Sequence, residues 1–103
     1  MNSLTVVERE AAASDVRVTE DELIVSLVDG RRISVPLAWY PRLVHGTMEE
    51  RNAYELIGRG TGIHWPKLDE DLSVSGLLKG NPSFESKESL QRWLDQRAGR
   101  LHE

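Results

Sequence analysis

Between residues 15 and 37 apolar and polar side chains alternate in three short runs, and the register that reconciles those runs restricts the fold more than any other stretch. Val16 and Val18 form the first run, Leu23, Val25 and Leu27 the second, Ile33 and Val35 the third. A period of two marks half-buried strands. A polar loop of about four residues sets Val18 opposite Leu23 and Val16 opposite Val25, which puts both apolar sets on one face. Asp29-Gly30 then invites a two-residue hairpin, but that register sets Leu27 beside Arg32 and sends Ile33 and Val35 to the wrong face. A loop of about three residues, with Gly30 left-handed in a bulge, keeps all three runs on one side. The expectation is a three-stranded antiparallel meander ended by Pro36, which cannot donate to a ladder.

Beyond the meander, Pro41 can open a short helix that carries Trp39, Tyr40 and Leu43 onto the sheet. Thr47 and Glu50 have the spacing of a capping box, so a helix is expected from residue 48, with Ala53, Leu56 and Ile57 as its apolar stripe and Gly58 as its stop. Ile63-His64-Trp65 reads as a short extra strand ended by Pro66, and residues 68–71 as a polar turn. Asp71 or Ser73 caps a short helix over residues 74–79, and Ser86 caps a last helix whose inner face carries Leu90, Trp93, Leu94 and the stem of Arg97. Together these elements predict a single α+β domain, a small antiparallel sheet packed with short helices. Its expected limits are residues 14–82, with a mobile arm over residues 1–13 and a C-terminal helix and tail over residues 83–103.

The chain has 103 residues, a formal net charge of −4 and no cysteine. That length suits one core, and the missing cysteines remove thiol catalysis, zinc ribbons and disulfide staples. No apolar run reaches the roughly 20 residues of a membrane span, and the first residues lack a signal peptide's pattern, so a cytoplasmic location is expected. A negative global field repels phosphate backbones and favours a basic partner over DNA.

Three constellations point to chemistry. Gly58-Arg59-Gly60-Thr61-Gly62 resembles a phosphate-cradling loop, yet it follows an expected helix and leads into a strand, the reverse of a nucleotide fingerprint. Asp69, Asp71, Ser73 and Ser75 alternate like early calcium ligands, but Val74 and Gly80 stand where an EF-hand needs glycine and glutamate, so helix capping explains the acids better. No cofactor or metal is expected. His64 with Asp69 or Asp71 has the makings of a general base and its orienting carboxylate, although no nucleophile accompanies them.

Two stretches, DGRRISVPLAWYPRL at residues 29–43 and ELIGRGTGIHWPKLDEDLSVSGLLKG at residues 55–80, resemble the small bacterial family known as domain of unknown function 2442. Its most specific part here is Ile63-His64-Trp65-Pro66 with the acids 69–71 and Gly76-Leu77-Leu78 behind it. The resemblance implies a small antiparallel sheet with short helices. It also implies a protein often encoded beside another very small one, a two-gene module of the toxin–antitoxin kind. Some relatives carry a helix-turn-helix after the domain, whereas this chain has one expected helix there and such a motif needs two.

The resulting expectation is a non-enzymatic, antitoxin-like binding module for a small basic protein. Trp39, Tyr40, His64, Trp65, Asp69, Glu70 and Asp71 are its expected contacts, apolar anchors inside and acids at the rim. Two alternatives stand beside it: a small metal-dependent or acid/base enzyme using His64 with Asp69 and Asp71, and a DNA-binding regulator using Arg31, Arg32, Arg42 and Arg59.

Overall fold

The structure, a computed structural model, describes residues 11–101. The expected mobile arm falls mostly on residues 1–10, outside the described residues. The meander forms in the expected register: β1 (Ala13–Val18), β2 (Glu22–Leu27) and β3 (Arg32–Pro36) pair antiparallel. Val18 faces Leu23, Val16 faces Val25, and Leu23 and Val25 face Val35 and Ile33. The β2–β3 turn is the three-residue loop, with Leu27 N–H donating to the Arg31 carbonyl at 2.8 Å and Gly30 at φ +98°. That φ suits glycine alone without strain. One correction is that β1 begins at Ala13, two residues before the alternation starts. Ala13 is buried and pairs with Leu27 across an irregularity in the ladder.

The expected extra strand is in fact one of three. β4 (Glu55–Ile57), β5 (Gly62–Trp65) and β6 (Glu70–Ser73) form a second antiparallel sheet in that order. Helix α1 is Pro41–Val44, and α2 (Met48–Asn52) opens on the predicted capping box. Thr47 Oγ1 accepts from Glu50 N–H at 3.1 Å and Glu50 returns the bond to Thr47 N–H at 2.9 Å.

Helix α2 stops early, however. Leu56 and Ile57 pair with Ile63 and Gly62 instead of continuing the helix. Their spacing fits a helical stripe and a strand equally well, and the turn decides between them. Gly58, Arg59 and Gly60 take φ of +57°, 58° and +90°, three left-handed residues that fold β4 back onto β5. Gly60 also passes so close to β1 that a Cβ there would sit 2.7 Å from the Ala13 carbonyl.

The polar turn after Pro66 also ends sooner than expected. Leu68 is fully buried, Asp69 takes a left-handed φ of 51°, and Glu70 and Asp71 already belong to β6. Ser73 caps α3 (Val74–Leu78) through Gly76 N–H, and Ser86 accepts from Ser89 N–H at the start of α4 (Lys87–Leu101).

One core joins the two sheets. The inner face of the meander meets Leu37, Tyr40 and Leu43, then Ile63, Trp65 and Leu68, then Val74 and Leu77, with Trp93 of α4 at its margin. Arg51 ties the helical corner together, donating from Nε and Nη2 to the carbonyls of Leu43 and Val44 at the end of α1, each at 2.8 Å. No helix among the described residues is long and apolar enough to cross a membrane.

Candidate functional site

The acids that drew attention in the sequence lie along the outer strand of the second sheet. Among the described residues β6 pairs only with β5, leaving its far edge unpaired, and a groove of about 520 Å³ follows it. Asp69, Glu70, Asp71 and Leu72 form one side of that groove, and Pro82, Ser83, Phe84, Glu85 and Ser89 form the other. A second groove continues past Asp71 and Ser73 toward Gly76 and Asn81, and Phe84 belongs to both. Phe84 is 83% exposed, an apolar ring left in solvent where the two grooves meet.

Arg42 of α1 holds the two sides together. Its guanidinium grips Glu85 through Nε and Nη2, and Nη1 donates to the Asp69 carbonyl at 3.0 Å. Glu85 also accepts from Ser89 Oγ at 2.7 Å. The Arg42 hydrogen bonds hold the Glu85 carboxyl below its usual range. Glu70 behaves in the opposite way. Burial pushes its pKa up to about 7, a rise that Arg42 opposes and the nearby Glu85 charge reinforces.

On the opposite face of the sheet, His64 Nδ1 hydrogen-bonds the Asp71 carboxylate across the β5–β6 pair. Asp69 is turned toward Arg42 instead, at 3.4 Å. The expected convergence of His64, Asp69 and Asp71 therefore splits into two separate pairs. No group of three or more His, Cys, Asp or Glu side chains among the described residues is arranged to hold a metal ion.

Two expected contacts need correcting, since Tyr40 and Trp65 are 1% and 0% exposed and belong to the core. Tyr40 Oη donates to the Asn81 carbonyl at 2.6 Å, and Trp65 Nε1 donates to the Arg51 carbonyl at 3.0 Å. Each aromatic has found the partner its polar tip requires, and Tyr40 reaches the second groove only as a buried part of its wall. Trp39 is half-buried against the core. Asp69 and Asp71 remain exposed, and Glu70 is half-buried. Sequence reasoning missed Phe84 and Glu85; a lone phenylalanine in an unpatterned loop after Pro82 was the available signal.

The four arginines of the DNA-binding alternative lie on different elements. Arg31 and Arg32 sit at the β2–β3 turn, with Arg31 bound to Asp29 at 2.8 Å, while Arg42 lies on α1 and Arg59 in the β4–β5 turn.

A family's sequence model matches residues 13–83, from the start of β1 to Ser83 in the wall of the groove opposite β6. The chain belongs to the family described as Protein of unknown function (DUF2442). The DUF2442 segment thus holds both sheets and the first three helices, and α4 lies beyond it. A crystal structure of a protein of unknown function from Rhodospirillum rubrum is similar at 32% identity and a TM-score of 0.63, covering 78% of this chain and 96% of that one. A solution structure of an uncharacterized protein from Chromobacterium violaceum shares the fold at 22% identity and a TM-score of 0.60, covering 79% of this chain and 74% of that one. No curated protein matches the chain.

Proposed function

We propose that the chain is a non-enzymatic protein-binding module, the acidic, antitoxin-like partner of a small basic protein encoded beside it in a bacterial two-gene module. One observation carries the reading: the groove beside β6 is lined by four carboxylates against a single guanidinium, with an exposed phenylalanine between them. An apolar anchor ringed by charge is the pattern of a protein contact, and the sign of that charge selects a cationic partner. Asp69, Glu70 and Asp71 keep the contact role expected of them, joined by Phe84 and Glu85, and His64 acts by holding Asp71 in place. The gene pairing implied by the family supports the same reading.

Isothermal titration of the chain against the small basic protein encoded next to its gene tests the proposal. A stoichiometric complex is expected, weakened by salt and by Phe84→Ala or Asp71→Lys. If no complex forms, or if it ignores salt and both substitutions, the reading is wrong.

A further inference from the structure

The outer edge of β6 has no strand beside it among the described residues. Val74 N–H donates to the Thr61 carbonyl at 2.9 Å, and the β5–β6 register continues that pairing through Ile63 with Leu72 and Trp65 with Glu70. In an antiparallel ladder the intervening residues turn their backbone groups away from the partner strand. The N–H and C=O of Asp71 and the N–H of Ser73 therefore face the groove, while the Ser73 carbonyl is committed to opening α3. No backbone group among the described residues pairs with those three; the Asp71 amide has only the Glu70 carboxylate leaning on it.

We propose that β6 binds its partner by strand addition, an extended lysine- or arginine-bearing segment lying in the groove as a fourth strand of the second sheet. The inference rests on the protein-binding reading above and specifies its mode. Strand addition takes its affinity from main-chain hydrogen bonds and its selectivity from alternate side chains. The acids supply that selectivity, because alternation places Glu70 on one face of β6 and Asp71 on the other, so a cation on either face of the added strand meets a carboxylate. The same acids reject a second copy of β6, which would bring Glu70 and Asp71 against their own kind. The two grooves together run the length of β6, roughly 13 Å for four residues, and Phe84 offers an apolar ledge along them.

The test uses two capped peptides of equal charge, Lys-Val-Lys-Val-Lys and its analogue N-methylated at alternate residues, titrated into the nitrogen-15-labelled full chain. Strand addition predicts that the unmodified peptide slows hydrogen exchange at the Asp71 and Ser73 amides. It also predicts that methylation of the pairing edge weakens binding about tenfold, the loss of one to two hydrogen bonds. Equal binding of both peptides with those amides unprotected would overturn the strand mode and leave the acidic binding reading standing. Binding of the basic neighbour protein with neither peptide bound would also overturn it. Failure of the peptides and the neighbour protein alike would remove both.

Discussion

Arg42 on α1 lays its guanidinium over the Trp93 ring of α4, 5.0 Å from the ring centroid, while the same guanidinium grips Glu85. Arg97 lies 4.7 Å from that ring and forms a two-point bond to Glu50 of α2. Among the described residues Trp93 is the one buried side chain of α4, flanked by Leu90 and Leu94, which pack partly buried against the same core. Replacing Trp93 with alanine is expected to cost about 3–5 kcal/mol of docking energy, more than a solvated helix of this length recovers by itself. Hydrogen exchange should show α4 unprotected in Trp93→Ala while β2 and β5 keep their protection. Equal loss in the sheets would show that helix and sheets unfold as one unit.

Acid should undo the same docking. The Arg97 hydrogen bonds hold Glu50 down at about 2, below its ordinary 4.5. A carboxyl lowered on folding contributes stability that is present above pH 4.5 and lost as pH falls through 2. The Trp93 indole resonance is expected to move toward its solvent-exposed position across that window. Glu50→Gln should remove this acid dependence and leave the helix weakly docked at every pH.

Glu70 carries the opposite sign. Its pKa rises on folding from 4.5 to about 7, so the folded state holds a proton the unfolded chain releases, and stability falls as pH climbs through that interval. Glu70→Gln is expected to match the parent chain at pH 4 and to exceed it at pH 8. The gain should be on the order of 1 kcal/mol, because solvent at the groove screens the charge. Urea melts at the two pH values measure it; a difference of equal size at both would refute the assignment to Glu70 ionisation.

Tyr40 and Trp65 should respond as core residues. Trp65→Ala is expected to cost about 3–5 kcal/mol, and Tyr40→Phe about 1 kcal/mol through loss of the bond to the Asn81 carbonyl. Chemical denaturation of each variant checks both values. Partner affinity of folded Tyr40→Phe should equal that of the parent chain, since the ring is only 1% exposed.

The meander was legible down to the side-chain pairs because one-sided burial over three strands admits a single register. Val16 against Val25 and Leu23 against Val35 leave no other solution that keeps the three alternating runs on one face. Of the second sheet only β5 was legible, because β4 and β6 are three and four residues long and carry too few side chains to show a period. Leu56 and Ile57 satisfied a helical stripe on paper; three consecutive left-handed residues at 58–60, one of them Arg59, overruled it. The aromatics of the expected contact surface were misplaced for a related reason. Composition makes a tryptophan valuable to a core or to an interface alike, and only the fold shows that Trp65 finds its indole partner in Arg51.

The groove beside β6 has its floor inside the DUF2442 segment and most of its far wall outside it, in Phe84, Glu85 and Ser89. The acids of β6 and the apolar ledge of Phe84 therefore come from different stretches of the chain. A substitution at Phe84, Glu85 or Ser89 can reshape that wall without touching a single rung of either ladder.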